Sequence, residues 1–345
     1  MITTSCNGRT FAIAIATLAG LSGTSHAASQ DICAETARTL YSACKAGVTD
    51  DSLVKKANCL NVSDAGARDD CFAEQAETRK DDTDLCRGQK DTRLEACALL
   101  GPGRYDPDFS PDRFDDPKHP SKPNPYFPLT VGHKWEYRGG DELNTVEVVD
   151  ETKLIAGVTC VVFRDLVFTD GDLTEATDDW FTNAKDGTTW YFGEETAEYE
   201  SFDGDHPRKP ELVNIDGSFK SGRDGAKPGI IFLASPHKGD VYLEEFSLAN
   251  AEDATEVLST NYSYGKDATL DQAVPKQLAQ RMCAGDCVVT KNFSMLEPGI
   301  FAHKYYARGI GVFLEVEFDP EADEPTVTQL TDCNFDARCN GLPQP

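Results

Sequence analysis

The eleven residues WYFGEETAEYE (190–200) set Trp190, Tyr191 and Phe192 side by side and follow them with Glu194, Glu195, Glu198 and Glu200. In a strand over 188–193, Thr188, Trp190 and Phe192 point to one face, and Thr189 and Tyr191 to the other. A sheet with one solvated face alternates apolar and polar residues. Here both faces carry aromatic rings, so both are expected to be covered. The preceding strand offers Trp180 and Phe181 on opposite faces, the following residues offer Tyr199 and Phe202, and Asp186-Gly187 between them is a hairpin signal. A barrel interior would cover one side. The other would be covered by another part of the chain or by a bound apolar molecule, since a barrel of about eight strands can hold one small ligand.

The same period of two runs outward from this hairpin. KWEYR alternates Trp135 and Tyr137 with charges, TVEVVD follows, and KLIAGVTCVVFRDLVF supplies two strand-like runs hinged at Ala156-Gly157. Asp170-Gly171 is a second hairpin signal, and GIFAHKYYARG and GVFLEVEF form a further strand pair. Short strands separated by turns predict an antiparallel meander over 129–320, closed as a barrel or folded as a sandwich. Residues 203–229, dense in Gly, Pro and Asp, read as a long excursion. Residues 321–345 read as an acidic tail with a local disulfide across the six-residue step Cys333–Cys339.

Upstream, the pattern changes twice. Residues 101–128 contain eight prolines, which forbid regular helix or central strand. Tyr105, Phe109, Phe114, Tyr126 and Phe127 punctuate this linker, so it is expected to pack along a domain surface. Residues 28–100 contain six cysteines and no proline. The steps Cys33→Cys44, Cys59→Cys71 and Cys86→Cys97 are 11, 12 and 11 residues. Eleven residues of α-helix turn about 20° past three full turns, so such pairs share one face. The intervening residues are good helix formers, and Asp64 or Ser63 suits an N-cap. A helical module this poor in large apolar residues needs covalent staples in place of a core. Six cysteines allow fifteen pairings, and spacing does not choose among them.

The first 27 residues read as a secretory signal. Arg9 is the only charge before Asp31, an apolar run spans Phe11–Leu21, and SHAAS supplies a small-residue cleavage site. No later stretch approaches the roughly 20 apolar residues that a membrane-spanning helix needs. The expected product is exported, to the periplasm or the extracellular space. In that setting Cys33, Cys44, Cys59, Cys71, Cys86, Cys97, Cys283, Cys287, Cys333 and Cys339 are disulfide material, and Cys160, within a β-rich run, is a buried free thiol. The balance of 33 Lys+Arg against 59 Asp+Glu, −26 overall, excludes nucleic acid and anionic lipid as partners.

No catalytic constellation stands out. His133, His206, His237 and His303 sit in four separate segments, and no nucleophile elbow, phosphate loop or paired-histidine metal motif occurs. TDGDLTEATDD lacks the ligand spacing of a calcium loop, so neither metal nor cofactor is expected. Asp178-Asp179 and Glu194-Glu195 flank the hairpin and could meet across it, and two carboxylates are the minimum for glycoside hydrolysis. Against that, neighbours in a strand face opposite ways, and acids recur throughout the chain. No catalytic residues are assigned.

Several segments together resemble an uncharacterised family of exported, mainly bacterial proteins. They are RYDPDF (104–109), NPYFPLTVGHKWEYRG (124–139), ETKLIAGVTCVVFRD (151–165), DDWFTNAKDGTTWYFGEETAEYE (178–200), DGAKPGIIFLASPHKGD (224–240), NAEDATEVL (250–258) and LEPGIFAHKYYARGIGVFLEV (296–316). The resemblance implies export and a β-rich domain, with the cysteine-bearing helices as an N-terminal extension, and it implies no activity. The chain departs from the pattern at DATLDQAVPKQLAQRMCAGDC (267–287), which is longer and brings Cys283 and Cys287.

The expectation is therefore an α+β chain, a disulfide-stapled helical module followed by a larger antiparallel β domain. Its function would be non-enzymatic, binding a small apolar ligand or an extracytoplasmic protein partner, with Trp180, Trp190, Tyr191, Tyr199 and Tyr305 as candidate ligand contacts. The alternatives are a secreted hydrolase using the carboxylates of the 178–200 hairpin, or a structural envelope or matrix protein.

Overall fold

A computed structural model describes Asp31–Pro345; residues 1–27, read from the sequence as a secretory signal, and Cys6 with them, lie outside the described residues. Two long helices come first, α1 (Ile32–Leu60) and α2 (Ala65–Leu100). Asp31 and Asp64 cap them, each carboxylate accepting from a backbone N–H of the first turn, Ala34 and Ala67. The helices form an antiparallel hairpin stapled Cys33–Cys97, Cys44–Cys86 and Cys59–Cys71. The equal eleven-residue steps on the two helices let the rungs align. Little else is buried: Ala34, Ala37, Val48 and Ala96 are the small apolar contacts, while Leu53, Leu60 and Leu85 stay exposed.

The proline-rich stretch holds one short 3-10 turn, Pro111–Arg113, and runs along the β domain. That domain opens with β1 (Lys134–Gly139), β2 (Glu142–Ile155), β3 (Val158–Thr169), β4 (Asp172–Asn183) and β5 (Thr189–Glu200). Shorter strands follow: β6 (Glu211–Asn214), β7 (Phe219–Lys220), β8 (Lys227–Phe232), β9 (Val241–Leu243) and β10 (Glu245–Phe246). The last group is β11 (Asp253–Tyr262), helix α3 (Lys276–Met282), β12 (Cys287–Ser294), β13 (Phe301–Ala307), β14 (Gly311–Phe318) and β15 (Thr326–Cys333). Every pairing is antiparallel, in the order β10-β8-β5-β4-β3-β2-β1-β15-β14-β13-β12-β11-β9. The two ends of that order, β9 and β10, are successive parts of the single stretch Val241–Phe246. The sheet therefore closes on itself, and of barrel and sandwich it is the barrel.

One boundary is corrected. The segment read as an acidic tail carries β15, which pairs with both β1 and β14 and joins the two halves of the barrel. Only the loop around Glu321–Glu324 is acidic; TVTQLTDC (326–333) has strand composition. The disulfide expected there, Cys333–Cys339, is present, as is Cys283–Cys287.

The two-sided aromatic strand is covered by the protein itself. Trp180, Trp190 and Phe192 lie with Ile155, Val158, Cys160 and Val162 on the outer face, beneath Phe109 and Phe114 of the linker. Phe114 meets Trp190 and Phe192 edge-on at 5.8 and 5.5 Å. Phe181 and Tyr191 face inward, stacked at 4.6 Å, with Phe127 5.1 Å from Phe181. Among the described residues Cys160 is the free thiol, and burial pushes its pKa up, which keeps it unreactive.

A β-bulge in β5 has larger consequences. Asp179 pairs with Glu194 and Phe181 with Tyr191, so Trp180 alone faces both Phe192 and Gly193. The extra residue shifts the alternation and turns Tyr191 and Glu194 to the same face, where a regular strand would separate them. Gly193 is required there: its φ is 122°, and a Cβ would sit 2.2 Å from the Phe219 carbonyl oxygen.

Candidate functional site

Several hollows result from this fold. The first is the barrel lumen. Side chains from six neighbouring strands, β3-β2-β1-β15-β14-β13, share one cavity of about 210 Å³, lined by Trp135, Tyr137, Asn144, Phe163, Asp165, Lys304, Glu315 and Thr328. A second hollow of about 390 Å³ continues past Tyr137, Asn144 and Glu315 to Glu142, Glu317 and Thr326. Six strands of a closed sheet can converge on one cavity only from the concave face, so these side chains point into the lumen.

The remaining wall is acidic and tyrosine-rich. The Tyr191 hydroxyl lies 2.5 Å from Asp179 Oδ1 and 2.9 Å from Glu194 Oε2. A phenol has one proton to donate, so one of these carboxyls must be protonated and donate back. The electrostatics agree. Burial raises Asp179 well above the carboxylate range, reinforced by Glu194, and burial lifts Glu194 to about 7. Glu244 accepts hydrogen bonds from Thr255 at 2.5 Å and Asn292 at 2.8 Å and is lifted by burial to about 7; Asp165 reaches about 7 for the same reason. Burial raises Asp253 too, and also Glu245, which lines the separate hollow beneath the helical hairpin, each pressed by neighbouring acids. Lys304, 3.7 Å from Glu315, is the one base in this set, and Glu315 followed by Glu244 hold its pKa high against desolvation.

This wall makes the pH dependence of stability unusual. Each raised carboxyl keeps its proton in the folded chain at a pH where the unfolded chain has lost it. Its contribution is fullest below the unfolded carboxyl range, about pH 4, and is lost as pH rises through about 7. His303, pushed down to about 4 by burial and then by Lys291, and His133, lowered by burial, oppose this below their unfolded value, as two groups against six. The melting temperature is expected to rise by several degrees between about pH 8 and pH 5. Calorimetry at fixed ionic strength checks it; a flat or falling profile contradicts the protonated wall.

A separate hollow, about 450 Å³, lies between the helical hairpin and the outside of the barrel. The first turns of α1 give Ile32, Ala37 and Leu40, and the last turns of α2 give Ala96 and Leu100. The floor is Ile230, Leu243, Phe246 and Met295. Tyr105 closes one side, its ring 5.0 Å from Phe246 and its hydroxyl donating to the Pro228 carbonyl at 2.9 Å. The hairpin is held by Arg93 of α2, which forks onto Glu252 with both contacts at 2.8 Å, and by Gln89, which donates to the Leu296 carbonyl at 3.0 Å. Gly88 lets Pro298 approach; a Cβ there would lie 2.8 Å from it. The Cys33–Cys97 disulfide ties the two helix ends together at the lip of this cleft.

The five residues singled out from sequence are not brought together. Trp180 and Trp190 are on the outer face under the linker, and Lys153 lies 3.8 Å above the Trp180 ring. Tyr191 is in the lumen. Tyr305, on the face opposite Lys304, donates its hydroxyl to the Leu270 carbonyl at 2.6 Å beneath the 267–287 insertion. Tyr199 lies at the far end of β5, opposite Leu212 of β6. The two acid pairs do meet across the hairpin, in the register Asp178–Glu195 and Asp179–Glu194. Asp178 then binds Arg164 at 2.7 Å on the outer face, while Asp179 and Glu194 point inward. Neither Lys304 nor Arg93 was found by sequence reasoning. The 3.7 Å pairing of Lys304 with Glu315 across β13 and β14 could be glimpsed from the alternation of AHKYYARG and FLEVEF; Arg93 gave no signal.

No model of a known protein family matches the chain, and no curated protein matches it by sequence. Among solved structures, it is similar to a protein from Bacteroides fragilis described as exported with a YmcC-like fold. That match has 10% identity and a TM-score of 0.33, over 61% of this chain and 98% of that one. It is also similar to a protein from Parabacteroides distasonis described as a lipoprotein, at 12% identity and a TM-score of 0.32, over 62% of this chain and 100% of that one. At these values the overlap is loose.

Proposed function

We propose that this protein is an exported binding protein of the family its segments resemble, and that it takes a small apolar molecule in the cleft between its helical hairpin and its barrel. The cleft itself carries the reading. Ligand pockets are commonly about 300–1,000 Å³ and mainly apolar with a few fixed polar groups, and this one has about 450 Å³, an aliphatic and aromatic lining, and one buried ion pair. Five disulfides suit an oxidising, extracytoplasmic compartment, and among the described residues no helix is long and apolar enough to cross a membrane.

The hydrolase reading is supported by the raised Asp179–Glu194 pair and opposed by Tyr191. Its hydroxyl occupies the gap between the two carboxyls, where a glycosidic oxygen or water would need to sit.

The cleft is tested with an apolar fluorescent probe such as anilinonaphthalene sulfonate. Leu40→Trp, which fills the cleft from α1, is expected to weaken probe binding about tenfold, whereas Leu53→Trp, exposed farther along α1, leaves it unchanged. Equal binding by the two variants places the apolar site elsewhere.

A further inference from the structure

We infer that the occupant of the cleft between hairpin and barrel is an alkyl carboxylate, with its chain on the apolar lining and its carboxylate at Arg104. This names the ligand class of the site proposed above and rests on that reading. Five charged side chains line the cleft, and three of them are basic: Arg93, Arg104 and Lys227. Acids outnumber bases by 59 to 33 over the whole chain, so this lining runs against the composition. Arg93 is engaged by Glu252, and the two cancel. Lys227 reaches Asp106 at 3.1 Å, but that carboxylate is 74% exposed, where water screens the pair. Among the described residues Arg104 is exposed and forms neither a hydrogen bond nor an ion pair, so its guanidinium is uncommitted.

These two cations gather at one end of the cleft. Arg104 precedes Tyr105, whose ring packs on Phe246. Lys227 donates to the Tyr105 carbonyl at 2.5 Å, with its ammonium 5.9 Å from the Phe246 ring. The helix termini add little, because α1 begins and α2 ends here and their dipoles offset. Glu245 is the lining acid that would oppose an anion. Burial, reinforced by Asp253, raises its pKa well above the carboxylate range, so its protonated form is favoured and can donate to a ligand oxygen. The rest of the lining, with Ile32, Leu40, Ile230, Leu243 and Met295, is apolar. At roughly 30 Å³ for each water-sized group, about 450 Å³ holds a chain on the order of a dozen carbons. A hydrogen bond between guanidinium and carboxylate is roughly twice as strong as a neutral one, which favours the acid over the alcohol of equal length. The overall charge of −26 opposes an anionic surface, where many acids act together. A single carboxylate answers mainly to groups within a Debye length, about 8–10 Å.

The test separates the headgroup from the chain. Anilinonaphthalene, the fluorophore above without its sulfonate, is bound to the mature, disulfide-intact chain near pH 7 and displaced by decanoate, decanol or decylammonium. Decanoate is expected to displace it at least tenfold more tightly than decanol, and decylammonium less tightly than either. Arg104→Gln is expected to cut the preference for decanoate over decanol at least fivefold, and Lys227→Gln by less. Arg104 is exposed and touches no partner, so its replacement does not threaten the fold. Arg38→Gln, an equal change of charge at an exposed position of α1 outside the lining, should leave the preference intact. Equal displacement by decanoate and decanol, a preference for decylammonium, or a preference for decanoate that survives in Arg104→Gln would each overturn the carboxylate assignment while leaving an apolar cleft standing. Failure of the neutral fluorophore to bind, or equal binding by Leu40→Trp, would instead overturn the cleft itself, and the carboxylate with it.

Discussion

Arg93→Ala is expected to destabilise the folded chain by about 3–5 kcal/mol and to loosen the helical hairpin from the barrel. The guanidinium and the Glu252 carboxylate are 5% and 4% exposed, and they meet through two parallel contacts of 2.8 Å. Glu252 Oε1 also accepts the Ala249 N–H at 2.5 Å, so the carboxylate cannot swing out to water without breaking the turn before β11. Deleting the arginine therefore strands a buried charge, which costs far more than the net worth of the pair. The double variant Arg93→Ala, Glu252→Ala is expected to be milder than the sum of the two single changes, because it leaves no unpaired charge behind. Urea denaturation of the four proteins measures the coupling directly. A single-variant loss below about 1 kcal/mol would mean that water reaches this pair.

Removing the Cys33–Cys97 disulfide by paired serine substitution is expected to cost about 3.5 kcal/mol, from the loop entropy it withholds from the unfolded chain; with Cys44–Cys86 intact, the loop it closes is only the two eleven-residue arms between the staples. Replacing all six hairpin cysteines is expected to unfold α1 and α2 while the barrel stays folded. The hairpin buries mainly alanines, one valine and the cystines, so without staples too little apolar surface opposes the chain entropy of two long helices. The barrel keeps its own aromatic core around Phe163, Phe181 and Trp135 and its two local disulfides. The measurement is loss of the helical circular-dichroism signal, with rapid proteolysis confined to 31–100 and an intact aromatic near-ultraviolet spectrum. Retained helicity in the six-serine chain would show that docking onto the barrel suffices. Because the cleft is walled by both helix ends, the same variant should also lose binding of the apolar probe.

Much of the architecture could be read along the chain, and the reason is periodicity. Steps of eleven residues place cysteines on one helix face, and the helices carry them there. Alternation over 188–193 puts rings on both faces of one strand, and both faces are covered, by the lumen on one side and by Phe109 and Phe114 on the other. The β-rich setting of Cys160 marks a buried thiol. The candidate site was far less legible. Glu194 faces the lumen beside Tyr191 because one extra residue at Gly193 shifts the alternation, and a bulge leaves no trace in a pattern of apolar and polar residues. The strand Thr326–Cys333 was hidden by the acidic loop before it.

By itself the sequence determined the kinds of element, their order, the stapled helices and the covered aromatic strand, since each depends on residues close together in the chain. Tertiary structure decided which cysteines pair, that the meander closes through Val241–Phe246, and that Arg93 meets Glu252 across 159 residues. It also set Asp165, Lys304 and Glu315 around one cavity and brought Asp179 and Glu194 together on the Tyr191 hydroxyl. Those outcomes rest on contacts between distant segments, whose free energy depends on closing the whole barrel, and no local repeat of residue types records them.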